Sequence, residues 1–525
     1  MYMNTTDKIA GEAQKMSRAD GAPSLVLAAV TAGITIASGM WILWWLLHHP
    51  ALATPLSVAG PLLLVAMLSL TAWVARWYAG GRIGFGALAG LVSGLINLML
   101  LGSMISKAAE ASPLATDTLG TQATGLAAAA VAPGVQGVGY NSVLVMLGFV
   151  ALSAAIGALG GVVARAFGPA TPLVSNRQWL ARLSVVVAIS IVPLLFLGGL
   201  VTSAAAGLSV PDWPGTFGAN MFFYPLALME SSDPRIFKEH THRLFGALIG
   251  LITVALCAAL LRYEPRRWVK VWGCVAVLLV IAQGLLGASW VVEQMKMLAV
   301  VHGVLGQLFF ASMVALAVVC TPAFIAASGK RAGMSNSART RFRAGPKVAW
   351  LTIGAIVVQL GFGATYRHLR GQTGANHALL SHIVFSFIVM ALVLVLGIVL
   401  MKLSRRPELE ELAGNADAAK PVGERLYRLG IVLHGVVALQ FTLGWVAWLA
   451  VSTSDSAVRI SPTATELATT PAVPTTELVI RTLHQINGAL LLGAVVLAAT
   501  WVLRLALAAK RRSAAGESGN VLAMS

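Results

Sequence analysis

Twelve long apolar runs constrain this chain more than any other feature. They fall at 22–47, 54–79, 83–106, 140–165, 180–205, 241–262, 268–292, 299–321, 347–366, 377–402, 426–451 and 480–508. Each is long enough to cross a bilayer core, which takes roughly 20 apolar residues. Without water in that core, the backbone must satisfy its own polar groups, so such runs are helices. Composition agrees: 57% of the residues are hydrophobic and 11% are charged, against about 25% charged in a soluble domain. The expected fold is all-α and integral to the membrane, with about twelve transmembrane helices.

A net charge of +17 would suit a nucleic-acid partner, but its distribution excludes one. The basic clusters "RYEPRRWVK" (262–270), "GKRAGMSNSARTRFRAGPK" (329–347), "KLSRRPELEELAGNADAAKPVGERLYR" (402–428) and "KRR" (510–512) alternate with the spans onto one side. That is the positive-inside bias, which puts both termini in the cytoplasm. Membrane lipid is the expected surrounding. The Ala- and Gly-rich character of the chain points to a bacterial plasma (inner) membrane. No cleavable signal peptide is evident, and 22–47 reads as a retained first span. Cys257, Cys274 and Cys320 sit in or at the ends of spans and read as small apolar core residues.

The chain reads as two parts. Residues 1–170 hold four Ala/Gly/Leu-rich spans of unknown role and a small-residue outer loop, 107–139. Residues 171–512 hold eight spans with ionisable groups at their ends, followed by a tail, 513–525. The eight carry an internal repeat. "THRLFGALIG", "VHGVLGQLFF", "SHIVFSFIVM" and "LHQINGALLL" each place a small residue four after a histidine: His242/Gly246, His302/Gly306, His382/Ser386 and His484/Gly488. "QGLLGASW", "QLGFGATY" and "QFTLGWVA" share Gln-x-x-x-Gly. The expectation is two pseudo-repeated four-helix bundles, 171–330 and 331–512.

All four histidines begin spans that run inward, so they lie near the outer face. Facing imidazoles in a bundle core can hold an iron from both sides, and imidazole is a common axial ligand of heme. This points to two heme sites, His242 with His302 and His382 with His484. A single interfacial histidine is usually structural; it is the recurrence that singles these out. His240, His48, His49, His368, His377 and His434 lack the pattern and read as interface or loop residues. In "FKEHTHRLFG" (237–246), Glu239 and His242 share a helix face and His240 looks away. A carboxylate in a membrane span is a functional candidate. Leu379 and Arg481 stand at the matching positions of the second unit, so the first site is the reactive one.

"EHTHRLFGALIGL" resembles the Glu-x-x-His-Arg segment of the heme A synthase family, and "GLSVPDWPG" (207–215) resembles the outer loop before it. "VHGVLGQ", "SHIVFSF" and "TLHQINGALLL" fit the other histidine positions. The resemblance covers roughly 177–508. It implies an oxidoreductase that turns the ring D methyl of heme O into a formyl group by successive hydroxylations, for cytochrome oxidase assembly. It implies heme b on His382 and His484, substrate heme O flanked by His242 and His302, and Glu239 as catalytic residue. Arg243 and Arg367 become propionate partners, with interfacial snorkelling the competing reading. Heme O synthase and oxidase assembly factors are the implied protein partners, and the electron donor carries no motif in the chain.

The chain departs from the family in lacking an outer-loop cysteine pair. Its first four spans lie outside the resemblance. Residues 1–170 have only Asp7, Asp20 and Asp117, too few for the aspartate-rich Mg²⁺ motifs of a fused prenyltransferase. The loop 452–479 is Thr/Pro-rich, suited either to covering the second site or to disorder. Two other classes stay open: a b-type bis-histidine electron carrier, which also needs paired histidines, and a proton-coupled transporter, in which His and Glu would be relay groups. Histidines at one depth disfavour transmembrane electron relay, and the scarcity of mid-span charge disfavours transport.

Overall fold

The computed structural model describes residues 22–52, 54–79, 82–106, 140–168, 174–326, 336–405, 409, 416–452 and 461–523. The N-terminal 21 residues, the loop 107–139 and most of the basic cluster 329–347 before Asn336 lie outside them.

Twelve helices among the described residues are long and apolar enough to cross a membrane, and they coincide with the twelve apolar runs. In order they are α1 (Leu25–Leu47), α2 (Leu56–Ala79), α3 (Ile83–Ile105), α4 (Tyr140–Ala166) and α5 (Asn176–Ser203). A two-residue hairpin, β1 (Gly215–Thr216) with β2 (Ala219–Asn220), and the short helix α6 (Leu226–Ser231) follow. Then come α7 (Pro234–Tyr263), α8 (Arg267–Glu293), α9 (Lys296–Cys320) and the short α10 (Pro322–Ala326). The chain ends with α11 (Asn336–Leu369), α12 (Ala375–Ser404), α13 (Ala416–Ser452) and α14 (Thr475–Ala523). The fold is that of an all-α integral membrane protein.

The start of α7 decides where the site lies. Apolar periodicity suggests a helix from 241, but α7 begins at Pro234. Proline suits the first helical position because its missing N–H has no partner there anyway. Asp233 caps the end by accepting from the Arg235 N–H, at 2.8 Å. Glu239, His240, His242 and Arg243 therefore stand on regular helix rather than in a loop.

Two compact units are present. The first holds α1–α8 together with the segment 461–473, and the second holds α9 and α11–α14. In the first, α3 and α4 pack at backbone contact: a Cβ at Gly86 or Gly90 would overlap the carbonyl of Gly157 or Ser153. Small residues at such crossings replace hydrophobic driving force in lipid. The Sγ atoms of Cys257 (α7) and Cys274 (α8) are 3.8 Å apart, as free thiols. Cys257 is buried and Cys274 is exposed on the helix surface. In the second unit, α11, α12, α13 and α14 form a closed ring of neighbours, and α9 packs on α11 and α14.

The loop between α13 and α14 differs from both readings of it. Its described part, 461–473, belongs to the first unit. Leu467 is buried, and its carbonyl accepts from Arg235 Nη2 at 2.7 Å. Arg235 is in turn held by Asp233, Nε to Oδ1 at 2.9 Å and Nη2 to Oδ2 at 2.7 Å. Burial would raise the Asp233 carboxyl, but the Arg235 bonds outweigh it and hold the pKa below the usual value. The carboxylate's contribution is complete above the unfolded pKa of about 4 and is lost only as pH falls through the lowered folded value. Arg235→Ala should therefore release 461–473, seen as severalfold faster limited proteolysis there at pH 7. In the unsubstituted protein, cleavage should stay slow from pH 8 down to pH 5.

Candidate functional site

The second unit brings His382 and His484 together. They come from α12 and α14, which face each other diagonally across the ring of helices. Their ring centroids are 6.2 Å apart with planes at 83°. Two imidazoles bonded to one metal at about 2.0 Å each have centroids roughly 6 Å apart. The pair thus fits the donor set of a heme iron.

Each ring is aimed by the preceding helix. His382 Nδ1 lies 3.1 Å from the Gln359 carbonyl, and Gln359 Nε2 donates to the His382 carbonyl at 2.8 Å. One turn on, a Cβ at Gly363 would stand 2.9 Å from His382 Cε1. At His484, the Gln440 amide lies 3.3 Å from Nδ1 and is held by Asn487 Nδ2 donating to its Oε1 at 2.9 Å. A Cβ at Gly444 would meet His484 Cε1 at 3.1 Å. With Nδ1 directed at a carbonyl, as at His382, Nε2 is the nitrogen left to bind a metal.

His242, in the first unit, repeats this setting. Its ring lies against α5, where a Cβ at Gly198 would meet His242 Cε1 at 3.1 Å. The backbone of Leu194, one turn before, is its hydrogen-bonding neighbour. So the Gln-x-x-x-Gly segments of α11 and α13 each seat an imidazole, and α5 seats His242 with the glycine alone, Leu194 standing where the glutamine would be. The motif was visible as a repeat, but its role was not. The open room expected beside each histidine is present at Gly246, whereas Gly488 is approached by Gln440 Nε2 at 3.1 Å. His302 stands on α9, in the second unit, with Gly303 beside it facing open space.

Glu239 and Arg243 form a buried ion pair, Arg243 Nε to Oε1 at 2.9 Å, each side chain 7% exposed. The rest of the guanidinium goes to the loop before α7. Nη1 donates to the carbonyls of Asp212 and Gly215, and Nη2 to that of Val210. Asp212 in turn accepts from the N–H groups of Phe217 and Gly218 at 2.7 and 2.9 Å. Arg243 thus ties the "VPDWPG" loop to Glu239. Arg367 sits at the rim of the other pair and donates to Oε1 of Gln485, the neighbour of His484.

Three histidines read as interfacial are placed differently. His240 does turn away from His242, but it is fully buried, with Nδ1 2.9 Å from Thr216 Oγ1. Its ring lies 5.3 Å from that of Tyr224. Tyr224's pKa is pushed up to about 12, by burial first and by Asp212's charge second, so its phenol stays neutral. His48 is also fully buried and pairs with Glu230, Nδ1 to Oε1 at 2.8 Å. His49 packs on Phe237, ring centroids 5.7 Å apart. The cause is tertiary: the 207–225 loop and α6 fold over the start of α7. His377 is exposed, as expected.

Residues 181–378 match the COX15-CtaA family, described as cytochrome oxidase assembly protein. This is the family to which the sequence motifs pointed, and the match supports a role in cytochrome oxidase assembly. The matched stretch runs from α5 into α12. It includes Glu239, His242, Arg243, His302 and Arg367; His382 and His484 lie beyond it. No curated protein and no solved structure matches the chain.

Two outcomes follow. Gly363→Ala or Gly444→Ala should tilt an imidazole and lower bound heme severalfold, read as Soret absorbance per protein. Gly148→Ala, on α4 away from the histidines and with nothing within 4 Å of the added methyl, should leave that ratio unchanged. Arg243→Ala should destabilise by about 3 kcal/mol, because breaking a buried pair strands the other charge. Thermal unfolding would show that loss, and Arg243→Lys should recover only part of it, since one ammonium cannot replace the guanidinium fork.

Proposed function

We propose that this protein is a heme A synthase, oxidising the ring D methyl of heme O to a formyl group by successive hydroxylations. The observation that carries the proposal is an asymmetry between like settings. Imidazoles seated in the same way occur in both units, and only His242 has a buried carboxylate, Glu239, one helical turn away.

In this reading His382 and His484 would hold a heme b, which would supply electron transfer when bound. His242 is one imidazole for the substrate heme. The sequence repeat alone assigns His302 a ligand role of the same kind. Glu239 is the catalytic residue and holds or passes a proton at its carboxylate. Arg243 sets where that carboxylate stands. Each hydroxylation replaces one C–H of the methyl with C–OH, a two-electron oxidation that requires an oxygen-atom source and a two-electron acceptor from outside the chain; the doubly hydroxylated carbon then loses water to give the formyl group. Arg367, on Gln485 beside His484, is available to a heme b propionate; Arg243 is largely committed to the loop. The reading puts the protein in a bacterial plasma membrane, with heme O synthase and oxidase assembly factors as partners.

The test is extracted-heme analysis of protein co-expressed with a heme O synthase in a host that makes no heme A. Heme A or its hydroxylated intermediate should appear beside heme B. Glu239→Gln should abolish the product and keep heme B, while His382→Ala should lose heme B. Heme B alone, with heme O untouched in the unsubstituted protein, would make this a b-type electron carrier and overturn the proposal.

A further inference from the structure

The first four spans have no counterpart in the histidine repeat, yet α1 is built along the helix that carries Glu239 and His242. At one end, Ser24 Oγ lies 2.9 Å from Tyr263 Oη. Ser24 N–H also donates to Asn176 Oδ1 on α5, at 2.7 Å. At mid-height, Trp41 packs edge-on against Phe245, ring centroids 5.3 Å apart. Ser38 and Ser190 join α1 to α5 through their hydroxyls, 2.9 Å apart. Toward the start of α7, Trp45 lies 6.5 Å from Phe237 and 6.1 Å from Phe196. The row ends at His48 and Glu230.

This last contact is the specific one. His48 is fully buried, and its Nδ1 meets a Glu230 carboxylate that is 27% exposed. Glu230 sits on α6, four residues before α7 begins. A carboxylate on Nδ1 fixes both the orientation and the protonated nitrogen of an imidazole. Hydrogen bonds to charged groups are the strong ones, and losing one partner is costly when the other is buried. The aromatic row fills space that any large side chain could fill. The dyad instead sets the position of the α6–α7 corner against α1.

We propose that His48 and Glu230 are positioning residues for the α7 site, and that the N-terminal spans form a wall of that site. Through the α6–α7 corner they hold the first turns of α7, and so keep Glu239 and His242 in place. The functional part of this inference rests on the role proposed for those two residues; the mechanical part does not.

The experiment is hydrogen exchange by mass spectrometry on the full chain in lipid nanodiscs. His48→Leu removes the donor at similar bulk, and His48→Asn returns an amide N–H close to the position of Nδ1. His48→Leu should speed exchange across 233–245 by about tenfold and leave α11–α14 unchanged. His48→Asn should recover most of that protection, which no loss of bulk alone would explain. Conversion of heme O should fall with His48→Leu at constant heme B and return with His48→Asn. Unchanged exchange across 233–245, or a rise shared by α11–α14, would overturn the proposal. If His48→Leu does not accumulate, Glu230→Gln carries the same local-against-global comparison, with a smaller rise expected. Should the unsubstituted protein convert no heme O, the functional reading fails while the exchange result still decides the mechanical one.

Discussion

A guanidinium that cannot be left uncompensated organises the first unit. Arg243 lies on a membrane-crossing helix with its side chain 7% exposed. A charge in that setting must be paired and its donors satisfied. Glu239 supplies the opposite charge, and three carbonyls from 210–215 take the remaining N–H groups. The loop must therefore lie on the helix, which buries His240 and brings Thr216 to it. One electrostatic requirement thus fixes a helix face, a loop and a catalytic candidate together.

The second unit solves a different problem by other means. Its histidines need orientation more than charge compensation. Orientation comes from carbonyls and amides of the helix before each ring, with a glycine that lets the imidazole lie against backbone. A methyl group would occupy the ring's own volume. The settings on α5, α11 and α13 share a glycine under the ring, and those on α11 and α13 also share the glutamine one turn before it. Charge then distinguishes them, since only the α7 ring has a carboxylate one turn away.

Legibility followed the range of the interaction. The twelve spans could be read because transfer of apolar side chains into lipid is a local property of each run. The facing of His382 and His484 was anticipated by a short motif that recurs along the chain. Gly363, Gly444 and Gly198 were harder, because their role exists only relative to a side chain on another helix. His48 and His240 were misassigned for the same reason. An isolated histidine near a span end is ordinarily interfacial, and nothing within a few residues of either one marks the loop or the α6–α7 corner that covers it.

The sequence by itself determined the class, the span count and the helix face shared by Glu239 and His242. These depend on hydropathy and helical period, which neighbouring residues set. Tertiary structure alone decided that His382 and His484 face each other at 6.2 Å and that Arg243 is spent on the loop. It also decided that 461–473 lies on the first unit and that α1 lines α7. Those outcomes join residues from 28 to 239 positions apart. They depend on which helices pack side by side, and no local pattern carries that information.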